Sequence, residues 1–410
     1  MSLSAGTLGG LKVFYNTDAG KDVTYKRRAL YAMMKKKKFS GYTIQQPIWV
    51  ANPSARSADF ETMLAAVDQG RALQATITDV PNYAGSYVTT QDILASKGAG
   101  KEAFWDLLTK NIDGALSNLA NDLAADLYGD GTGARGQVGA SPQAGYIYLK
   151  TDADISKFEK GMTLVAASST TGALRSGSAA ITGVSYVAGS GWKLTGPGTS
   201  AITSLAADDY LFVSGDAPNN TGDILKIGGI GTWCGTGALY GITRTSEDQR
   251  RVSVIDADYT SSGTPKQSLD LLTDMVMQVK IQGGQVDYVF ANPAWVLKLQ
   301  ADMQSKAQIV NVKPDDMPTV GFKGVTVPIY GGDGLVTVVE DIFCPSNYVY
   351  GLEMDSWTLY HRTEQPVSPI SADGNEILRS NSNDGVIFRG AFYGNVGCSA
   401  PGHNIRGKVA

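Results

Sequence analysis

Residues 107–139 read LLTKNIDGALSNLANDLAADLYGDGTGARGQVG. Taken with the turn before them, Phe104, Leu108, Ile112, Ala115, Leu119, Leu123 and Leu127 follow at steps of four, four, three, four, four and four. That is one apolar stripe on a helix of 3.6 residues per turn. The spacing predicts a helix over 98–128, a rod of ~45 Å at ~1.5 Å per residue. Asp106 and Lys110, at i and i+4, add a small surface pair. The helix should stop at YGDGTGARG, where glycine permits the positive-φ turn that ends helices. Gly131–Gly136, GTGARG, formally matches a dinucleotide-binding GxGxxG. That fingerprint needs a strand before it and a helix after it. Here a helix precedes and a loop follows, so the pattern is read as a helix stop.

Upstream, residues 1–40 hold nine Lys/Arg and two acids, a net +7, so the other 370 residues carry −11 of the total −4. Within this arm TYKRRALYAMMKKKK has the pattern of a short helix, with Leu30, Met33 and Met34 on one side. Three readings stand: a solvated tail, an arm lying on an acidic surface of another subunit, or an arm facing nucleic acid. Residues 41–97 show no sustained helical period outside Asp59 to Gln69. YTIQQPIWVA and LQATITDV read as strands around a polar, proline-marked excursion. A hairpin or loop this long and this thin in apolar residues cannot pack on itself. It is expected to be mobile or borrowed by a neighbour.

Downstream the character changes. MTLVAA, AAITGVSYV, GWKLTG and DYLFVSG are short strands separated by Gly, Ser, Thr and Asn. Residues 146–225 therefore read as a small β-barrel or sandwich inserted between helix-bearing segments. Residues 226–345 return to mixed α/β. Ser268 is the expected N-cap of SLDLLTDMVMQVKIQ, with Gly283 and Gly284 ending it. VDYVFAN is a strand, and Asn292-Pro293 opens the next helix as cap and N1 proline. Residues 346–410 read almost wholly as strand, in YVYGLEM, SWTLYHR and GVIFRGAFYGNVGCSAP.

Composition bounds the function. With 43% hydrophobic and 18% charged residues the chain can bury a core and is not a disordered polyelectrolyte. Cys234, Cys344 and Cys398 are too few and too scattered for a disulfide scaffold. His361 and His403 leave little material for a histidine-based triad or zinc site. No GxSxG, HExxH or P-loop pattern occurs. MSLSAGTLGG lacks the pattern of a secretory signal, and no apolar run reaches the ~20 residues of a membrane span. A structural, non-enzymatic role without cofactor, metal or membrane is the expectation.

The order of parts resembles the major capsid protein of tailed bacteriophages, with the α+β Hong Kong 97-type fold. The residues that carry it are the 107–139 stretch, DYVFANPAWVLKLQ, GDGLVTVVEDIFCPSNYVYGL and the closing DGVIFRGAFYGNVGCSAP. The resemblance implies a basic N-terminal arm over 1–40 and an extended loop with adjoining strands over 41–97. It implies a spine helix of the peripheral domain over 98–145 and an inserted small β-barrel over 146–225. An axial α/β domain over 226–350 and returning peripheral strands over 351–410 complete it. Implied too is self-assembly into pentamers and hexamers of an icosahedral virion head, made in the bacterial cytoplasm. The partners implied are a scaffolding protein and portal, non-specifically held double-stranded DNA and, in some members, a decoration protein. Inter-subunit contacts fall to Lys26, Arg27, Arg28, Lys35, Lys36, Lys37 and Lys38 on the arm, and to Trp49, Arg56, Phe60 and Arg71 on the loop. Some members crosslink through a loop lysine, but Phe39 to Ser96 contains none, so no crosslink is expected. A separate scaffolding protein and no large N-terminal cleavage are also expected. The rival readings are an encapsulin-like shell around a protein cargo, a cytosolic enzyme with an accessory β-domain, and a carbohydrate-binding β-protein.

Overall fold

A computed structural model describes residues 28–97, 107–217, 225–260, 266–305, 324–328, 335–364, 366–370, 377–380 and 384–409. Lys26, Arg27 and positions 98–106 of the expected helix lie outside the described residues. The elements run α1 (Ala29–Met33), β1 (Lys35–Lys38), β2 (Thr43–Ala51), α2 (Phe60–Ala65), β3 (Arg71–Thr78), β4 (Val80–Thr89), α3 (Thr90–Lys97) and α4 (Leu107–Asp126). Short strands follow as β5 (Gly136–Gln137), β6 (Tyr146–Tyr148), β7 (Thr163–Ala167), β8 (Ala179–Ala180), β9 (Gly183–Val187), β10 (Gly191–Thr195) and β11 (Tyr210–Val213). Next come β12 (Ile255–Asp258), α5 (Ser268–Ile281), β13 (Tyr288–Ala291), α6 (Pro293–Ser305), β14 (Gly324–Pro328), β15 (Leu335–Glu340) and β16 (Tyr348–Leu352). The chain closes with β17 (Trp357–His361), β18 (Ser368–Pro369), β19 (Ile377–Arg379), β20 (Gly385–Cys398) and β21 (Ile405–Lys408).

Two compact units divide the chain. The smaller contains residues 82–120 and 367–391. Here β4, β18 and β19 all pair with β20, in registers such as Ile377↔Phe388 and Ser368↔Ala391. Phe388, Ala391, Val88, Ala115 and Leu119 are buried. A Cβ on Gly390 would sit 3.1 Å from Leu116, so the start of α4 lies close over this sheet. Helix α3 opens on a reciprocal cap: the Asp92 amide donates to Thr89 Oγ1, which donates to the Asp92 carboxylate at 2.5 Å.

The larger unit holds residues 27–81, 121–366 and 392–410. Its main sheet has the order β12-β21-β16-β13-β15-β14. β13 and β15 are parallel, with α6 between them in the chain, and β16 and β21 fill in antiparallel. Helices α5 and α6 cover it, burying Leu272, Met275, Val279 and Leu299 with Val289, Val338 and Ile405. Asn292 behaves as read, accepting from the Ala294 amide at 3.1 Å. Gly283, at φ +87°, ends α5 as expected. Ser268 does not cap: Gln267 holds that place without a side-chain bond, and the Ser268 amide donates to Asp302 at 2.8 Å. A carboxylate from the neighbouring helix has taken the role the hydroxyl was expected to fill. Within 351–410, expected as returning peripheral strands and the C-terminus, Ile405–Lys408 joins this six-stranded sheet between β12 and β16.

A second core lies between β5-β11-β7-β8 and β6-β10-β9. Ile147, Phe158, Leu164, Leu194, Ile202 and Leu211 are buried in it. Hydrogen bonds link the two sheets at both edges. Val138 bridges Leu149 at one, and the near-continuous run β8–β9 pairs with β7 and then β10 at the other. The layer starts at Gly136, ten residues before the expected boundary, because the chain leaving α4 enters it directly.

The end of α4 explains the glycines that follow. Gly133, at φ +78°, lies so close to the Asp216 carbonyl that a Cβ would sit 2.5 Å from it. Gly229, in the charge-free stretch 227–243, packs on the last turn of α4, where a Cβ would meet the Leu127 carbonyl at 2.3 Å. No described helix is long and apolar enough to cross a membrane.

Candidate assembly interface

Strands β2 and β3 form an antiparallel hairpin from Thr43↔Thr78 to Trp49↔Ala72, with a bulge before Ala51↔Arg71. Nine residues at ~3.3 Å each carry its tip ~30 Å from its base. The segment is expected to be mobile or borrowed by a neighbour, but one face of the paired ladder packs within the chain along its length. Ile48 and Val50 near the tip end and Ala75 and Ile77 nearer the base are buried, the Thr76 amide donates to the Tyr240 carbonyl at 2.8 Å, and Tyr360 Oη donates to Gln46 at 2.7 Å.

The tip is different. None of α2 is buried, and Trp49 (60%), Phe60 (69%), Leu64 (58%) and Val67 (63%) are exposed. Even so, the tip is ordered by its own polar bonds. Asp59 caps α2 through the Thr62 amide at 2.8 Å and the Thr62 hydroxyl at 2.6 Å. Asp68 accepts from the Ser54 amide and hydroxyl at 2.7 and 2.8 Å. These bonds hold both carboxyls below the usual carboxylate range, so both stay charged. Trp49 Nε1 donates to Asn52 at 2.7 Å. Leu64 and Val67 were missed by the sequence reading. Phe60, Met63, Leu64 and Val67 stand at i, i+3, i+4 and i+7, and that spacing is the signal that would have found them.

The described basic residues, from Arg28 to Lys38, are tied into the fold. Helix α1 spans only Ala29–Met33, and Lys35–Lys38 is a strand, parallel to β17 with Lys35↔Thr358 through Lys38↔His361. A helix continuing through the lysines is thereby ruled out. Buried Leu30 and Met34 anchor the turn, and the buried Asp341 carboxylate accepts from the Leu30 amide at 3.2 Å and Tyr128 Oη at 3.0 Å. Arg28 donates to Asn121 at 2.7 Å. Lys35 pairs with Asp355 at 2.8 Å, Lys38 pairs with Glu364, and Lys36 stands 4.6 Å over the Tyr31 ring. Lys37 and Arg56 are exposed. Arg71 pairs at 2.6 Å with Glu247, 176 residues away.

A buried charge network sits where α4 ends. Arg135 is 3.0 Å from Asp122 and 3.7 Å from Asp216; Lys226 is 2.9 Å from Asp216 and 3.9 Å from Asp126. Burial pushes the Asp126 carboxyl up to about 6, against the pull of Arg135 and Lys226. These ion pairs join α4 to the two ends of the inserted layer. The three cysteines are buried, which pushes the Cys234 and Cys398 thiols up to about 12. Among the described residues no group of three His, Cys, Asp or Glu is placed to hold a metal.

No family model and no curated protein matches the sequence. Solved structures do match along its whole length. A chain of the capsid of cyanophage A-1(L) aligns with TM-score 0.54 and 14% identity, over 98% of this chain and 99% of that one. A capsid chain of a native GTA particle aligns with TM-score 0.52 and 10% identity, over 100% and 99%. The chain has the Hong Kong 97-type capsid fold. An encapsulin, the holo-SrpI complex of Synechococcus elongatus, aligns with TM-score 0.47 and 7% identity, over 100% and 95%.

Proposed function

We propose that this chain is a major capsid protein, which assembles into pentamers and hexamers and closes an icosahedral phage head around double-stranded DNA. One observation carries the reading: on a capsid fold, a rigid ladder presents an ordered but unburied apolar tip ~30 Å from its base. Ordering Trp49, Phe60, Leu64 and Val67 in water gains nothing for the lone chain. Their burial needs another molecule, and in a symmetric shell that molecule is a second copy.

The six-stranded α/β sheet serves as the axial domain, and β4 with β18–β20 and the start of α4 as the peripheral one. The layer over 146–225 is read as a small inserted barrel, supported by the hydrogen bonds that link its sheets at both edges. A scaffolding protein and portal act during assembly in the host cytoplasm, and a decoration protein is a further partner. The role is structural, with no catalytic step.

The purified chain, alone and co-expressed with its scaffolding protein, should give closed shells or five- and six-fold rings in negative-stain electron microscopy. Nucleic acid inside shells made during infection separates a phage head from a cargo compartment. A monomer under every condition overturns the reading. Since Phe39 to Ser96 lacks lysine, boiled particles should run as a single monomer band, and a covalent ladder would refute the absence of crosslinks.

A further inference from the structure

The tip of the extended loop has two chemical properties besides exposure. Its apolar residues, Phe60, Met63 and Leu64 on α2 and Val67 just beyond it, are one, and its negative charge is the other. Residues 52–70 contain Arg56 against Asp59, Glu61 and Asp68, a net of −2. The hydrogen bonds from Thr62 and Ser54 keep two of those carboxylates ionised. Elsewhere in the same unit lies a surface of opposite sign. Strand β1 is the outermost strand of its sheet, and its four lysines are all exposed. Two carboxylates border it, Asp355 and Glu364, so the strip is +2. Aromatic rings accompany it: Tyr31 lies beneath Lys36, Phe39 packs edge-on to Tyr360, and Tyr42 is exposed.

We infer that the α2 tip of one copy docks on the Lys35–Lys38 strip of a second copy. The inference rests on the capsid reading and names the surface the extended loop meets. Among the described residues no hydrogen bond or ion pair joins residues 52–70 to Lys35–Lys38 of the same chain, and the paired ladder carries the tip ~30 Å from Thr43. The contact joins two different patches, so it is head-to-tail, and repetition of one such contact builds a closed ring. The edge strand gains cover for its unpaired backbone, and the lysines guard it against random pairing until the tip arrives.

The strip suits a folded acidic surface better than a phosphate backbone. Asp355 and Glu364 stand among the lysines and leave the strip at +2, a charge that the −2 tip balances and that is small for a surface tracking a phosphate backbone. Lys36 is drawn down onto Tyr31 rather than extended into solvent.

A charge-reversal cycle in the full-length chain tests this, with particle yield from co-expression with the scaffolding protein as the readout. Glu61→Lys and Lys37→Glu avoid Asp59 and Asp68, which organise the tip. Each alone should lower shell yield about tenfold, and the double variant should restore it to within about twofold. Unchanged melting of the unassembled single variants shows that folding is intact. If both single variants assemble like the parent, or the double is no better than the worse single, the docking pair is wrong while the capsid reading stands. If the parent chain forms no shells, the capsid reading itself falls, and this pair with it. If Lys37→Glu leaves shell yield intact but lowers packaged DNA, the strip faces nucleic acid, which also overturns the pairing.

Discussion

The inserted layer and the extended hairpin are both β-structure, yet they treat their apolar residues in opposite ways. The insert uses strands of two to five residues, and Ile147, Leu164, Leu194, Ile202 and Leu211 are all shielded from solvent. The hairpin uses strands of nine and eight residues and leaves Trp49, Phe60, Leu64 and Val67 in water. Strand length does not decide whether a segment is self-sufficient. What decides is whether its sheets face each other. One face of this two-stranded ribbon is covered, burying Ile48, Val50, Ala75 and Ile77, but its other face and its tip have no second layer, so Trp49 and the tip residues wait for another molecule.

The sharpest way to break this contrast is to cut a side chain from each region. Leu211→Ala should destabilise the unassembled chain by about 2–5 kcal/mol in chemical denaturation, through lost transfer energy and an unfilled cavity. A loss below about 1 kcal/mol would show that the insert core is not a packed one.

Next in size is the charge network that binds the insert's ends to α4. The Asp126 carboxyl is pushed up to about 6 from an ordinary 3.8. The folded state thus holds the proton more tightly than the unfolded one. Ionisation opposes folding above about pH 6, and that penalty fades as pH falls from about 7 toward 4. Asp126→Asn should therefore be more stable than the parent at pH 8, by about 1–3 kcal/mol, and equal to it near pH 4. Urea melts at the two pH values check this; a variant less stable at pH 8 would show that the Lys226 attraction outweighs the cost of burying the carboxylate.

A smaller effect is expected at the cap of α2. Asp59→Ala removes the Thr62 bonds and should cost about 1 kcal/mol, confined to the tip. Faster amide exchange at Thr62 and Met63, with the global melt unchanged, is the outcome that agrees. The smallest effect on the lone chain belongs to Leu64→Ser, at most about 0.5 kcal/mol, because nothing in the chain buries Leu64. The same change should lower shell yield several-fold. If it destabilises the monomer as much as Leu211→Ala does, the tip is part of a core after all.

The long helix, its glycine stop, the Asn-Pro helix start and the change to short strands after the spine were legible because each is written in residues a few positions apart. The order of those parts led to the capsid resemblance. The interface was only half legible. Trp49, Arg56, Phe60 and Arg71 are the expected loop contacts, whereas Leu64 and Val67 fall inside the helical period of Asp59 to Gln69 without standing out, because the helix there is only six residues long. Lys35–Lys38 was read with a helix because Leu30, Met33 and Met34 precede it, and four lysines have little intrinsic preference for strand.

The sequence by itself determined that 107–126, 268–281 and 293–305 are helical, where glycine ends the first two, which stretch is basic, and that 41–97 lacks the apolar residues of an independent core; it did not show the helix at Thr90–Lys97. Tertiary structure alone decided that Lys35–Lys38 becomes a strand, through a ladder with residues 358–361, and that Asp302 rather than Ser268 serves the start of α5. It alone brought Arg71 to Glu247 and closed the six-stranded sheet with Ile405–Lys408. The reason is the range of the interactions. Helix periodicity and caps act over three or four residues, so the local string contains both partners. Edge pairing, buried ion pairs and shared carboxylates join residues tens to hundreds of positions apart, and a one-dimensional pattern holds only one member of each pair at a time.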